Sequence, residues 1–252
     1  MLAEERQQFI LQLLDEERVV KLQDLVRSLN ASESTVRRDL QELECRHLLR
    51  RVHGGASLLR QRSEEPDMDV KTLKNVREKK AIAKAAVTQV KDNECIYIDA
   101  GTTTLEMIRY IRAKNVTVVT NGLSHIEALV RNHITAYLIG GMMKPTTRAI
   151  VGGIARQTIN LFRFDKAFIG TNGMDLEMGF TTPDPEEAMI KRRAQELASQ
   201  TFVTADSSKF SEVSFCKMFD IGKAVIVTDK IPESVRQAFL ERTKIICANE
   251  DD

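Results

Sequence analysis

Short apolar runs at residues 95–98, 116–119, 136–139, 167–169, 202–204, 224–227 and 245–248 recur with helix-compatible stretches between them. No other feature of the chain constrains the fold as strongly. Strand-length runs alternating with helices predict a mostly parallel sheet covered on both faces, an α/β domain. A helical stretch carrying Ile82, Ala83, Ala86, Val87 and Val90 leads into the first run. Upstream the pattern changes. Residues 1–56 read as short helices with small apolar faces. Residues 57–75 are polar and charged without a period (Arg60, Arg62, Glu64, Glu65, Pro66, Asp67, Asp69, Lys71) and read as a linker. The expected organisation is a head at 1–56, a linker at 57–75 and an α/β domain at 76–252. At 252 residues two ordinary domains fit comfortably.

The formal net charge is +1, so any nucleic-acid contact has to come from a local basic surface. No apolar run approaches the roughly 20 residues of a membrane span, and the first residues show no secretory pattern. Cys45, Cys95, Cys216 and Cys247 form no CxxC pair, and His125 and His133 have no metal-ligand spacing. Walker and dinucleotide fingerprints are absent, so no cofactor is expected. These features point to a cytoplasmic protein with reduced thiols and no membrane partner.

In the head, Leu22, Leu25, Val26 and Leu29 fall at i, i+3, i+4 and i+7, one stripe of a helix. A turn at Asn30-Ala31 follows, and Ser32 is placed to cap the next helix. That helix keeps Val36, Leu40 and Leu43 on one face. At about 100° per residue, Ser34, Arg38 and Gln41 point away from them, flanked by Thr35 and Arg37. Hydroxyls and arginines near a helix start donate to phosphates and to base edges of a major groove. Arg38 is the candidate for the groove floor and Arg37 for a phosphate, though the two could exchange roles. The following residues, Leu48 to Gly55, read as a basic β wing with Arg51 and His53 facing the backbone. The head is therefore expected to be an all-α winged helix-turn-helix. A small helical bundle for protein docking fits the pattern too.

In the α/β domain the small polar motifs follow strands: Asp99-Ala100-Gly101-Thr102-Thr103-Thr104, Thr120-Asn121-Gly122, Gly140-Gly141, Gly170-Thr171 and Asp206-Ser207-Ser208-Lys209. Ligands of open α/β sheets bind outside the carboxyl ends of the strands. Gly101 and the three threonines could form an anion site or a plain helix cap. Lys209 beside Asp206 and Ser208 suits a phosphate, though alone it would be a surface lysine. Asp99 and Asp206 suit sugar hydroxyls, which donate to carboxylates. The acidic turn at Glu186-Glu187 opens a helix that continues as Lys191-Arg192-Arg193, expected to be mainly a solvated face with Lys191 within reach of the site.

The run from Ser32 to Leu40, followed by Leu49-x-Arg51-x-His53-Gly54-Gly55-Ala56, resembles the DeoR family of bacterial repressors. Two turn positions depart from it: Glu17 and His47 stand where glycine is common. The stretch from Val76 to Ala248 resembles that family's effector domain, which implies a ribose-5-phosphate isomerase/CoA-transferase-like fold. Its matching motifs include Asp165-Lys166-Ala167-Phe168-x-Gly170 and Asp206-x-Ser208-Lys209-Phe210. Residues 99–104, Lys144-Pro145 and 179–188 look most like the fructose operon repressors of Gram-positive bacteria. The resemblance implies double-stranded operator DNA and a phosphorylated sugar, fructose 1-phosphate, as partners. Paired half-sites imply self-association as a dimer or tetramer. A sugar-phosphate isomerase with an accessory head is the competing expectation, since Asp99, Asp206, Glu186 and Glu187 could serve as acid and base.

Overall fold

The computed structural model describes residues 2–17, 19–46, 48–52, 54–58 and 67–248. The chain divides into two compact units, residues 1–61 and 62–252.

The first unit contains α1 (Ala3–Glu17), β1 (Val19–Lys21), α2 (Leu22–Leu29), α3 (Glu33–Cys45), β2 (Leu49–Val52) and β3 (Gly55–Leu58). Ile10 and Leu14 of α1, Leu22, Leu25 and Leu29 of α2, and Val36, Leu40 and Leu43 of α3 make one buried core with Val20 and Leu49. Burying each such side chain stabilises the unit by roughly 1.5–3 kcal/mol. Asn30 ends α2 in the left-handed region (φ 45°), and Ser32 caps α3 by accepting the Thr35 N–H at 3.2 Å. Arg6 grips the buried Asp39 with two bonds, Nε–Oδ2 2.7 Å and Nη2–Oδ1 3.0 Å, tying α1 to α3. The three strands pair antiparallel in the order β1-β3-β2. The head is thus mixed rather than purely helical: β1, only three residues long, is too short to show alternation in a sequence. Gly55 permits the pairing, because a Cβ there would lie 2.1 Å from the Val20 carbonyl oxygen. Glu17 simply closes α1, whereas His47 and His53 lie outside the described residues.

The second unit runs α4 (Met68–Leu73), α5 (Val76–Val87), β4 (Cys95–Ile98), α6 (Thr102–Met107), β5 (Thr117–Thr120), α7 (Leu123–Arg131), β6 (Thr135–Leu138), β7 (Met142–Lys144), β8 (Ala149–Val151), α8 (Gly153–Ile159), β9 (Phe164–Gly170), β10 (Gly173–Asp175), β11 (Gly179–Thr182), α9 (Pro185–Leu197), β12 (Ala198–Thr204), β13 (Cys216–Phe219), β14 (Val225–Thr228), α10 (Arg236–Leu240) and β15 (Ile245–Cys247). The seven expected strands form one parallel sheet in the order β15-β14-β12-β9-β4-β5-β6. Alternation along β4, β9 and β12 divides the interior into two cores. Ile96, Ile98, Phe168 and Phe202 face α5 and α6, while Tyr97, Ala167, Ile169 and Val203 face α8 and α9. The hairpin β7–β8 and the antiparallel sheet β10-β11-β13 were not anticipated.

The chain leaves β4 outward through β5 and β6, then returns to place β9 on the other side of β4. The strand order therefore reverses between β4 and β9, and the crevice at such a reversal is where an open α/β sheet binds its ligand.

Part of the stretch read as linker is ordered structure. β3 extends into it, and α4 belongs to the second unit. The Met68 N–H donates to the Thr146 carbonyl at 2.9 Å, Arg148 pairs with Asp69 at 3.1 Å, and Lys79 of α5 donates to the carbonyls of Lys71 and Lys74. One buried side chain in six residues, Met68, leaves no periodicity to read.

Candidate functional site

On the head, α3 presents Ser34, Arg38 and Gln41 as exposed residues and Thr35 as half-buried, opposite the buried Val36, Leu40 and Leu43. The Ser32 hydroxyl is bonded to those of Ser34 (2.9 Å) and Thr35 (2.8 Å), so the cap and the two candidate donors share one cluster at the helix start. The two arginines are not equivalent. Arg37 lies back along the helix on Glu33, with Nη2–Oε1 2.6 Å, whereas Arg38 makes no ion pair among the described residues. Arg51 is exposed on β2, its backbone N–H donated to Glu44 at 2.8 Å.

In the second unit the loops after β4 and β9 meet at the strand-order reversal. Asp99, fully buried, accepts the Gly170 N–H at 3.1 Å and an ion-pair bond from Lys191. Lys191 also donates to the Gly170 carbonyl at 3.1 Å. Of residues 191–193, read as mainly solvated with Lys191 within reach of the site, Lys191 is 4 % exposed and faces the crevice, while Arg192 is exposed. Glu187 and Lys191, at i and i+4, lie on the same inward face of α9, though a sequence reads such a spacing as an exposed pair. Asp184 caps α9 through the N–H groups of Glu186 (2.8 Å) and Glu187 (3.0 Å). Burial opposes its ionisation, but those N–H bonds and Lys144 hold its pKa below the usual carboxylate range.

Lys144, at the end of β7, reaches Asp184 at 2.9 Å and Glu187 at 3.0 Å, and Thr147 donates to the same Glu187 oxygen at 2.7 Å. The hairpin is thereby fastened to α9 beside the Asp99–Lys191 pair. Glu186 is less engaged: Arg156 stands 3.7 Å from one oxygen, and the other is buried without a hydrogen bond.

After β12, Asp206 accepts the Ser208 N–H at 3.1 Å, the Ser208 hydroxyl and the Asn75 side chain. Burial raises its pKa, but the Lys209 charge and these donors outweigh burial, so it stays ionised below the ordinary range. Lys79 lies within the field of Asp206 and Lys209, and burial lowers its pKa. Lys79 was not anticipated, because a lysine within a helix has no sequence mark of burial.

Several anticipated contacts serve the framework instead. The Asn121 side chain, 1 % exposed, accepts from the Tyr97 hydroxyl (2.9 Å) and the Ala100 N–H (2.8 Å). Thr120 accepts the Gly122 N–H at 3.0 Å. Gly122 is needed for the His125 ring, whose Nδ1 would lie 2.3 Å from a Cβ there. Thr104 spends its hydroxyl on the carbonyls of Asp99 (2.6 Å) and Gly101 (2.9 Å), and Thr171 on those of Gly173 and Thr181. Thr102 and Thr103 open α6 directly after Gly101 and are half-buried. Gly140 and Gly141 follow β6, two strands from the reversal. A Cβ on Gly141 (φ 147°) would stand 2.7 Å from the Val151 carbonyl, so its role is packing.

The arrangement offers buried carboxylates for hydroxyl donors and lysines already held by carboxylates, which an entering anion would have to draw away. Among the described residues no group of acids, histidines or cysteines could hold a metal ion, and no helix is long and apolar enough to cross a membrane.

A family model of the DeoR-like helix-turn-helix domain matches residues 6–62, and one of the DeoR C-terminal sensor domain matches residues 74–230. The uncharacterized HTH-type transcriptional regulator FruR of Bacillus subtilis is 47% identical over 246 residues, covering 97% of this chain and 98% of its own length. A putative aga operon transcriptional repressor of Escherichia coli O157:H7 is 33% identical over 94% of this chain and 92% of its own. The lactose phosphotransferase system repressor of Staphylococcus epidermidis is 32% identical, covering 87% and 89%. Among solved structures, ribose 5-phosphate isomerase A of Methanocaldococcus jannaschii aligns over 52% of this chain and 53% of its own, at 17% identity and a TM-score of 0.39.

Proposed function

The chain belongs to the DeoR family of helix-turn-helix regulators, and from that membership we propose that it represses a sugar-utilisation operon and leaves its operator when fructose 1-phosphate occupies the crevice between β4 and β9. The observation that carries this reading is the meeting of Asp99, Lys191 and Gly170 at the strand-order reversal of a chain that also bears a DNA head. Asp99 and Asp206 take sugar hydroxyls, and Lys209 takes the phosphate. Fructose is favoured by residues 99–104, Lys144-Pro145 and 179–188 and by the similarity to FruR. Arg38, Ser34 and Gln41 read bases, while Arg51 holds phosphates. The protein acts in the cytoplasm as a dimer or tetramer, because a single head buries too little surface to hold one half-site tightly. The relatives named above are regulators, so the isomerase alternative is set aside.

The test is a thermal-shift series with ketose and aldose phosphates, followed by titration of a duplex selected from a random pool by the wild-type chain. Fructose 1-phosphate should raise the melting temperature and weaken duplex binding about five- to 150-fold, a coupling of about 1–3 kcal/mol. Tighter duplex binding in its presence would make the sugar a corepressor and overturn the proposal. Stabilisation by another sugar phosphate alone would overturn the fructose assignment.

A further inference from the structure

Helix α4 is the first element described after the head, and it is gripped at both ends by residues whose other partners belong to the candidate site. Its start is held by the turn between β7 and β8. The Met68 N–H donates to the Thr146 carbonyl at 2.9 Å, and Arg148 pairs with Asp69 at 3.1 Å. The same turn is fastened to α9 by its other residues, since Lys144 and Thr147 donate to one Glu187 oxygen at 3.0 and 2.7 Å. Glu187 stands one helical turn before Lys191, which holds Asp99. Residues 144 and 147 thus meet the site while 146 and 148 meet α4. Arg148 lies in the left-handed region (φ 53°), a conformation that a non-glycine residue keeps only where its surroundings impose it. Here its N–H donates to the Lys144 carbonyl at 2.8 Å, and its carbonyl accepts the Leu123 N–H at 3.0 Å.

The far end of α4 is held from the other half of the site. The carbonyls of Lys71 and Lys74 accept from the buried Lys79, whose charge lies in the field of Asp206 and Lys209. The next residue, Asn75, bonds Asp206 through its side chain. Between these two grips α4 has little hold of its own, because Met68 alone of its six residues is buried. Few buried contacts put an element at the low end of local stability.

We propose that α4 is the output of the site: a ligand in the crevice loosens both grips, α4 leaves its dock, and duplex binding weakens. The inference rests on the reading of the crevice as a sugar-phosphate site. Sugar hydroxyls on Asp206 compete with Asn75, and those on Asp99 compete with Lys191, beside Glu187 on α9. A phosphate drawn to Lys209 changes the field in which Lys79 holds the last carbonyls of α4. A docked α4 fixes where the chain enters the second unit. A freed one leaves more residues to be ordered when a head binds DNA, and that entropic cost lowers affinity. Ligand and DNA then favour opposite states of one short helix, which is all that coupling between two sites requires.

Hydrogen exchange and duplex titration of the full chain test the idea. In wild type, fructose 1-phosphate should speed amide exchange at residues 68–74 at least about tenfold while β4 stays slow. The double variant Met68→Pro, Arg148→Gly cuts the turn from α4 without touching the crevice. Proline suits the first position of a helix and removes the N–H given to Thr146, and glycine keeps the left-handed turn without the guanidinium. This variant should bind the selected duplex at least about fivefold more weakly with no sugar present, and the sugar should add less than about twofold. Its thermal shift with fructose 1-phosphate should match that of wild type. If circular dichroism shows the double variant unfolded, Arg148→Gly alone decides, with a loss of at least about twofold in the same direction. Unchanged or slower exchange at 68–74 when the sugar binds, or a folded variant that holds and releases the duplex as wild type does, would overturn the proposal. A wild type that fructose 1-phosphate does not stabilise defeats the fructose reading instead. The double variant then judges α4 by itself, because its weakening of duplex binding needs no sugar.

Discussion

His125 is fully buried, with one ring nitrogen 3.2 Å from the Thr104 hydroxyl and the other without a hydrogen bond. Burial lowers its pKa from 6.5 to about 3; a bond to the Asp99 backbone opposes the shift and the Lys191 charge adds to it. The unfolded chain therefore takes up a proton below pH 6.5 that the folded chain refuses. Stability is full above pH 6.5 and falls by roughly 1.4 kcal/mol per unit as the pH drops towards 3. Urea unfolding at pH 7, 6, 5 and 4 should show this slope, and His125→Asn should flatten it. On the head, Arg38→Ala should cost roughly 1–3 kcal/mol of discrimination between the selected duplex and a scrambled one. Arg37→Ala should weaken both alike and reduce the salt dependence; its pairing with Glu33 makes the smaller effect the expected one. Equal losses for the two arginines in a fluorescence titration would refute that distinction. The same residues show what a sequence can reveal. The outward direction of Arg38 follows from helical geometry alone. The occupation of Asn121 by Tyr97 and Ala100 does not, because it depends on a contact between strands 24 residues apart.

Helix α3 is an element whose start was legible, since Ser32 has the right chemistry at the right place. Ser32→Ala should cost about 1 kcal/mol of head stability, measured by thermal melting against Gln41→Ala as an exposed control. Helix α4 was not legible, because it is held from outside itself. Its last carbonyls are bonded by Lys79, and its first N–H by Thr146. Lys79→Met keeps the apolar stem and removes the charged donor, whose hydrogen bonds are each worth about 1.5–3 kcal/mol. The amides of residues 68–74 should then exchange at least about tenfold faster, while those of β4 stay slow. Unchanged exchange would show that the Thr146 and Arg148 contacts hold α4 by themselves. The parallel sheet was readable strand by strand because each buried strand is an apolar run. The hairpin β7–β8 was hidden because Met142 and Met143 face outward and β7 is only three residues long.

Across the whole molecule, the chain divides into two compact units, residues 1–61 and 62–252. Calorimetry should resolve two transitions, and fructose 1-phosphate should raise only the one belonging to residues 62–252, because a ligand stabilises only the fold that binds it. A single transition that shifts as one would mean the units unfold cooperatively. The Asp99–Lys191 pair, 92 residues apart in sequence, also orders events in time. Every contact described within the head lies inside the first 61 residues, so it can form early on the ribosome. The crevice cannot close until Lys191 has been made. At about 5–20 residues per second, the interval is on the order of ten seconds. During it the nascent chain carries a completed helix-turn-helix head and a sensor domain still in the making, so the two units mature one after the other.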